Sequence, residues 1–186
     1  MANNECDTGA EAAPTTAPLS DDPKQWSYEV LKQFRLIFKA TQQHSLWVET
    51  QCGVSSAQLW MLWELSKQPG LRVTELAKAL AIHHSTASNL LDKLAKKKLI
   101  QKERVNTDQR VVTVTLTAAG EALMATAPAP PQGILQHAIF ELPEPTLKAL
   151  NKHLEVLVKE MAIKDDDAMM QPINPLPKRQ AVKKTG

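Results

Sequence analysis

The run Val73-Thr74-Glu75-Leu76-Ala77-Lys78-Ala79-Leu80-Ala81-Ile82-His83-His84-Ser85-Thr86-Ala87-Ser88-Asn89-Leu90-Leu91-Asp92-Lys93-Leu94 holds two apolar patterns with almost nothing between them. Leu76, Ala77 and Leu80 recur at helical steps, which predicts a short helix near residues 73–80. Ala87, Leu90, Leu91 and Leu94 do the same and predict a second helix near residues 84–97. Two short helices joined by so tight a turn fit a helix-turn-helix. Next come residues 100–105, the turn set Asn106-Thr107-Asp108-Gln109, and residues 111–116, where five of six positions are β-branched. That pattern predicts a β-hairpin. Helix, turn, helix, hairpin is the order of a winged helix-turn-helix with a two-stranded wing.

Outside this core the pattern is helical, so the fold class is mainly α. Asp22-Pro23 supplies an N-cap and a first-turn proline. Trp26, Val30, Phe34, Ile37, Phe38 and Thr41 follow at three- and four-residue steps, predicting a long helix that ends before Gly53. Ser55-Ser56-Ala57-Gln58 reads as a capping box for a helix carrying Leu59, Trp60, Leu62, Trp63 and Leu65, stopped by Pro69-Gly70. Thr117 caps another helix, which Pro128, Pro130 and Pro131 end. A short helix near 134–140 and a longer one near 144–162 complete the set. In the last, Leu147, Leu150, Leu154, Leu157, Val158 and Met161 form one stripe. Residues 1–20 are rich in Ala, Thr, Pro and Asn and read as a disordered arm. Residues 164–186 read as a flexible tail. The folded part is then residues 21–163, with the winged-helix lobe at 55–120.

At 186 residues the chain holds one domain with appendages. No apolar run reaches the roughly 18 residues of a membrane span. The first residues lack the basic and apolar regions of a secretory signal. Cys6 and Cys52 make neither a disulfide framework nor a metal spacing, so a reducing cytoplasm is the expected location. The net charge of +2 is unevenly spread: residues 66–120 carry ten Lys/Arg against four Asp/Glu, while residues 1–25 carry Lys24 against five acids. A basic middle is either a nucleic-acid footprint or a solvated face.

In a helix-turn-helix the second helix enters the major groove by its N-terminal residues. Here these are His84, Ser85, Thr86, Ser88 and Asn89, opposite Leu90, Leu91 and Leu94, with Lys93 one turn beyond Asn89. Short hydroxyls and an amide can donate and accept at base edges, and a helix N-terminus favours phosphate. The alternative for Ser85 is a plain helix cap. The alternative for Lys96, Lys97 and Lys98 is complementing the helix dipole. His83 and His84 point about 100° apart on a helix and make a poor metal pair. Residues 66–120 contain no Phe, Trp or Tyr. Single-strand and RNA modules stack bases on aromatics, so duplex DNA is favoured.

These residues resemble the MarR (multiple antibiotic resistance regulator) family of bacterial winged-helix regulators. The resemblance is carried by Val73-Thr74-Glu75-Leu76-Ala77, by residues 85–94, by Asp108-Gln109-Arg110 as an Asp-x-Arg wing, and by Leu116-Thr117-Ala118-Ala119-Gly120 as the exit from the wing. It extends more loosely over residues 24–162. It implies a homodimer whose helices at 21–54 and 121–163 form the interface. It implies that Arg110 reaches into the minor groove, where the potential is most negative, with Asp108 orienting it. Lys102 and Arg104 on the partner strand become phosphate candidates. Two positions depart from the family pattern: His83 stands where a small hydroxyl residue caps the recognition helix, and Lys98 where glycine ends it.

The expected function is therefore a sequence-specific duplex-DNA-binding transcriptional regulator, a cytoplasmic dimeric repressor on a pseudo-palindromic operator. The resemblance also implies relief by a small aromatic or anionic effector or a stress signal. Trp26, Trp47, Trp60 and Trp63 could line a pocket or belong to a core. Cys52 lacks a visible basic neighbour to activate it as a sensor. An enzyme is disfavoured, because no nucleophile–base pair or phosphate-cradling glycine loop is present. No cofactor and no metal are expected. The competing reading is a winged-helix protein-interaction subunit without DNA specificity of its own.

Overall fold

The computed structural model describes residues 22–105, 108–162 and 165–173. By internal contacts the chain divides into two compact units, residues 1–36 and 37–186, with the division inside the first helix.

Helix α1 (Pro23–Cys52) starts where Asp22 caps it: Asp22 Oδ1 accepts the Lys24 N–H at 2.9 Å. Of its thirty residues only Thr41 and Val48 are buried. Helix α2 (Ser56–Lys67) opens on the expected capping box. The Gln58 N–H donates to Ser55 Oγ at 3.3 Å, and the Ser55 N–H donates to Gln58 Oε1 at 3.0 Å. A capping box satisfies two of the donors that every helix leaves open at its start.

Strand β1 (Leu71–Arg72) follows and was not expected from the sequence, because two residues carry no periodicity. Helix α3 (Val73–Ala79) closes its first turn from one side, with Glu75 Oε2 accepting the Arg72 N–H at 2.7 Å. Ala81, at φ 51°, makes the turn into helix α4 (His84–Lys96). Lys98 holds the left-handed position after α4 at φ 57°, where the lack of glycine marks the departure already noted. That conformation costs a side-chain-bearing residue about 1 kcal/mol relative to glycine.

Strands β2 (Ile100–Val105) and β3 (Asp108–Leu116) form the antiparallel hairpin, in register from Ile100 opposite Leu116 to Arg104 opposite Val112. Asp108 and Gln109, read as turn residues, lie in β3; Asn106 and Thr107 are outside the described residues. β1 pairs with the other edge of β3, giving a three-stranded sheet in the order β1-β3-β2. Helices α5 (Ala118–Thr126), α6 (Ile134–Phe140) and α7 (Glu144–Glu160) follow. A 3-10 helix over Asp166–Met170 lies in the stretch read as a tail.

The core of the second unit is built from α2, α3, α4 and the sheet. Leu59, Met61, Leu62, Leu65, Leu76, Leu91, Leu94, Val48, Val54 and Val114 are fully buried. Burying one such side chain contributes roughly 1.5–3 kcal/mol. α7, by contrast, has no buried residue, and its expected apolar stripe is open: Leu154 is 39% exposed and Met161 60%.

Gly120 joins the wing to α5. Its N–H donates to the cap Thr117 Oγ1 at 3.2 Å, and a Cβ there would lie 2.1 Å from the Leu99 carbonyl oxygen. The obstacle is backbone, which cannot rotate away. Gly120→Ala should therefore lower the unfolding free energy by about 1–3 kcal/mol. Lys98→Gly should raise it by up to about 1 kcal/mol. Urea denaturation of the two variants checks both; the same sign for both would contradict this account of the junction.

Candidate nucleic-acid interface

The interface is organised by the two sides of α4. Ala87, Leu91 and Leu94 face the core, fully buried. The opposite side is the one the sequence singled out. His84, Ser85, Asn89 and Lys93 are exposed, and Thr86 and Ser88 are half-buried. Ser85 is not the cap. That position belongs to His83, whose side chain makes no capping hydrogen bond. The Thr86 hydroxyl donates to Gln171 Oε1 at 3.3 Å.

The wing brings further charge beside this helix. Lys102 and Arg104, two residues apart on β2, share one face of the strand. Arg104 is exposed. The Lys102 ammonium donates to Asp92 Oδ1 on α4 at 2.7 Å. By hydrogen bond and charge it holds the Asp92 carboxyl below the ordinary carboxylate range. Lys102 therefore ties the wing to the helix, a role that spacing alone did not reveal. Asp108 and Arg110 are on β3, but their side chains lie outside the described residues. At the other end of α4, the Lys97 ammonium donates to the Gly53 carbonyl.

Of the four tryptophans, Trp60 is buried, its indole N–H donating to Glu64 Oε1 at 2.9 Å and its ring meeting Phe140 edge to face. Trp63 lies beneath the Lys67 ammonium, 3.3 Å from the ring centre. Trp47 is half exposed beside His44, and Trp26 is half exposed. Trp60 lines a cleft of about 230 Å³, with Ile82, Gln132, Ile139 and Phe140. Burial pushes the Cys52 thiol up, away from the reactive thiolate. The same cause keeps His44 neutral to lower pH than usual.

A family model described as MarR family matches residues 53–111. The HTH-type transcriptional repressor NicR of Pseudomonas putida is 30% identical over 118 residues, which cover 61% of this chain and 72% of NicR. The chain belongs to the MarR family. The HTH-type transcriptional repressor MdtR of Bacillus subtilis is 29% identical over 93 residues, covering 50% of this chain but only 60% of MdtR. Among solved structures, the MepR–DNA complex of S. aureus is 27% identical with a TM-score of 0.50, over 72% of this chain and 97% of that one. The architecture is accordingly the MarR winged helix-turn-helix, flanked by helices on both sides. No helix among the described residues is long and apolar enough to cross a membrane.

The Asp92–Lys102 tie can be read directly. The folded-state pKa of Asp92 is depressed, so the tie acts above the ordinary carboxylate range and is lost as pH falls through the lowered value. Lys102→Met should return Asp92 to the ordinary range in a carboxyl-carbon NMR titration. An unchanged midpoint would mean that the pair does not form in solution.

Proposed function

We propose that this MarR-family protein is a sequence-specific duplex-DNA-binding transcriptional regulator, a homodimeric repressor released by a small effector or a stress signal. The observation that carries the reading is the exposed polar face at the start of α4, held outward by a fully buried apolar underside and tied to the wing through Asp92 and Lys102. Ser85, Thr86, Ser88 and Asn89 are assigned to base edges in the major groove, with His84 at the entry and Lys93 one turn on. Arg104 is assigned to phosphate, and Lys102 both to phosphate and to positioning α4. Arg110 is assigned to the minor groove and Asp108 to its orientation, on the family resemblance. The DNA in the MepR structure and the repressor names of NicR and MdtR support this direction.

The homodimer follows from exposed apolar surface. Leu150, Leu154, Leu157, Val158 and Met161 on α7 are open to water, as are Trp26, Val30 and Leu31 on α1. An isolated helix of 17 residues is marginal in water unless something covers its apolar side. A second copy of the chain would cover both stripes. We assign no catalytic step and place the protein in the cytoplasm with its DNA. The effector is assigned to the cleft beside Trp60. There Gln132 Oε1 is buried without a hydrogen-bond partner among the described residues and would accept from a donor on the ligand.

The deciding experiment is selection of bound sequences from random duplex DNA. An inverted repeat with half-sites about one helical turn apart is expected, with affinity falling steeply as salt rises. Arg110→Ala should weaken binding to the selected site by about 1–3 kcal/mol. No enrichment from a folded dimer would favour a protein-interaction subunit instead. For the assembly, Leu154→Glu should convert a dimer into a monomer in sedimentation equilibrium. A wild-type monomer at micromolar concentration would remove the dimer assignment.

A further inference from the structure

Helices α2 and α3 each close their first turn with a side chain at the third helical position, Gln58 and Glu75. α4 cannot. Its third position is Thr86, too short to reach back, and His83 at the cap offers no side-chain hydrogen bond. The donors at the start of α4 are thus left for another partner. The chain supplies one from 85 residues away. The His83 N–H donates to the Met170 carbonyl at 2.9 Å, and the Thr86 hydroxyl donates to Gln171 Oε1 at 3.3 Å. Asp167 Oδ1 lies 3.6 Å from His83 Nε2. The segment also borders apolar ground: Met169, Pro172 and Ile173 line the same cleft as Trp60, Ile82 and Phe140.

We propose that residues 165–173 are an autoinhibitory strap that competes with DNA for the N-terminus of α4. The proposal rests on the DNA-binding reading above. The strap meets that surface as nucleic acid would. Its carbonyl and amide oxygens take the His83 and Thr86 donors that a phosphate or base edge would otherwise take. Asp167, beside His83, brings negative charge to a helix end that favours anions. Thr86 cannot donate to Gln171 and to a base at once, so duplex must displace the strap. The strap is also built to let go. Met169 is 75% exposed and Ile173 52%, so little apolar area holds it down. The apparent affinity for DNA is then the intrinsic affinity reduced by the fraction of molecules with the strap released.

The test uses the full chain with Asp165→Asn, Asp167→Asn and Gln171→Ala combined, none of which belongs to the DNA-reading face. Binding to the selected duplex is measured for this variant and the wild type, together with amide hydrogen exchange at His83, Ala168 and Gln171. The variant should bind with a Kd about three- to tenfold lower. In the wild type, duplex should abolish protection at Ala168. Equal affinities with the strap still protected on DNA would overturn the proposal. Weaker binding by the variant would also overturn it, since the strap would then be part of the DNA interface. If neither protein bound any duplex, the DNA-binding reading itself would fall and the strap's inhibitory role with it. The wild type alone tells these two failures apart.

Discussion

Ala87, Leu91 and Leu94 must leave water together, and the placement of everything on the other side of α4 follows from that. The three positions occupy one helical edge, so burying them against α2 and α3 fixes the rotation of the helix about its axis. Once the rotation is fixed, Ser85, Asn89 and Lys93 can only face outward. The cost of turning the helix is set by apolar burial of several kcal/mol. No surface hydrogen bond of about 1 kcal/mol could compete. The outward face is therefore held in place chiefly by its dry back.

The wing depends on the same core through two joints. Val114 is a fully buried side chain of β3, and opposite it in register stands Lys102, whose ammonium reaches Asp92 on α4. One rung of the hairpin thus carries an apolar anchor and a polar tie. At the base of the hairpin, Gly120 lets α5 approach the Leu99 carbonyl, and Thr117 donates its hydroxyl to the Lys98 carbonyl at 2.7 Å. That bond satisfies a carbonyl at the end of α4, beside the left-handed Lys98.

What the sequence made legible was whatever is written in local chemistry. The caps at Asp22, Ser55 and Thr117, the periodicities of α3 and α4, and the β-branched hairpin all stand in the structure. The outward polar set of α4 was legible too, because the buried edge of the helix defines its complement. What could not be read depends on partners distant in sequence. β1 exists only because Leu71 and Arg72 meet Val114 and Thr113 of β3. Lys102 reads from the sequence as a phosphate candidate, and nothing in the spacing reveals its tie to Asp92. The apolar stripes of α1 and α7 were visible, but periodicity says only that a face is apolar, not what covers it. Residues 165–173 have the composition of a tail, since three aspartates and a proline suggest neither helix nor strand. Their ordering comes from hydrogen-bond donors on another element.

Those donors connect the fold to its regulation. A helix that reads DNA must keep its first turn available, because the N–H groups there and the short side chains beside them are what a duplex engages. A helix with an unsatisfied first turn is also less stable by roughly 0.5–2 kcal/mol than a capped one. α2 and α3, which need only to pack, close their first turns with their own side chains. α4 does not, and His83 in place of a capping hydroxyl is the sequence trace of that difference. A weakly held strap resolves the conflict. It satisfies the start of α4 while no DNA is bound, and it occupies the donors through contacts that a polyanion can replace. A self-contained cap would stabilise the helix permanently and leave the duplex fewer donors to meet. The open start of α4 thus serves binding, and the acidic segment that covers it turns that openness into a threshold for binding.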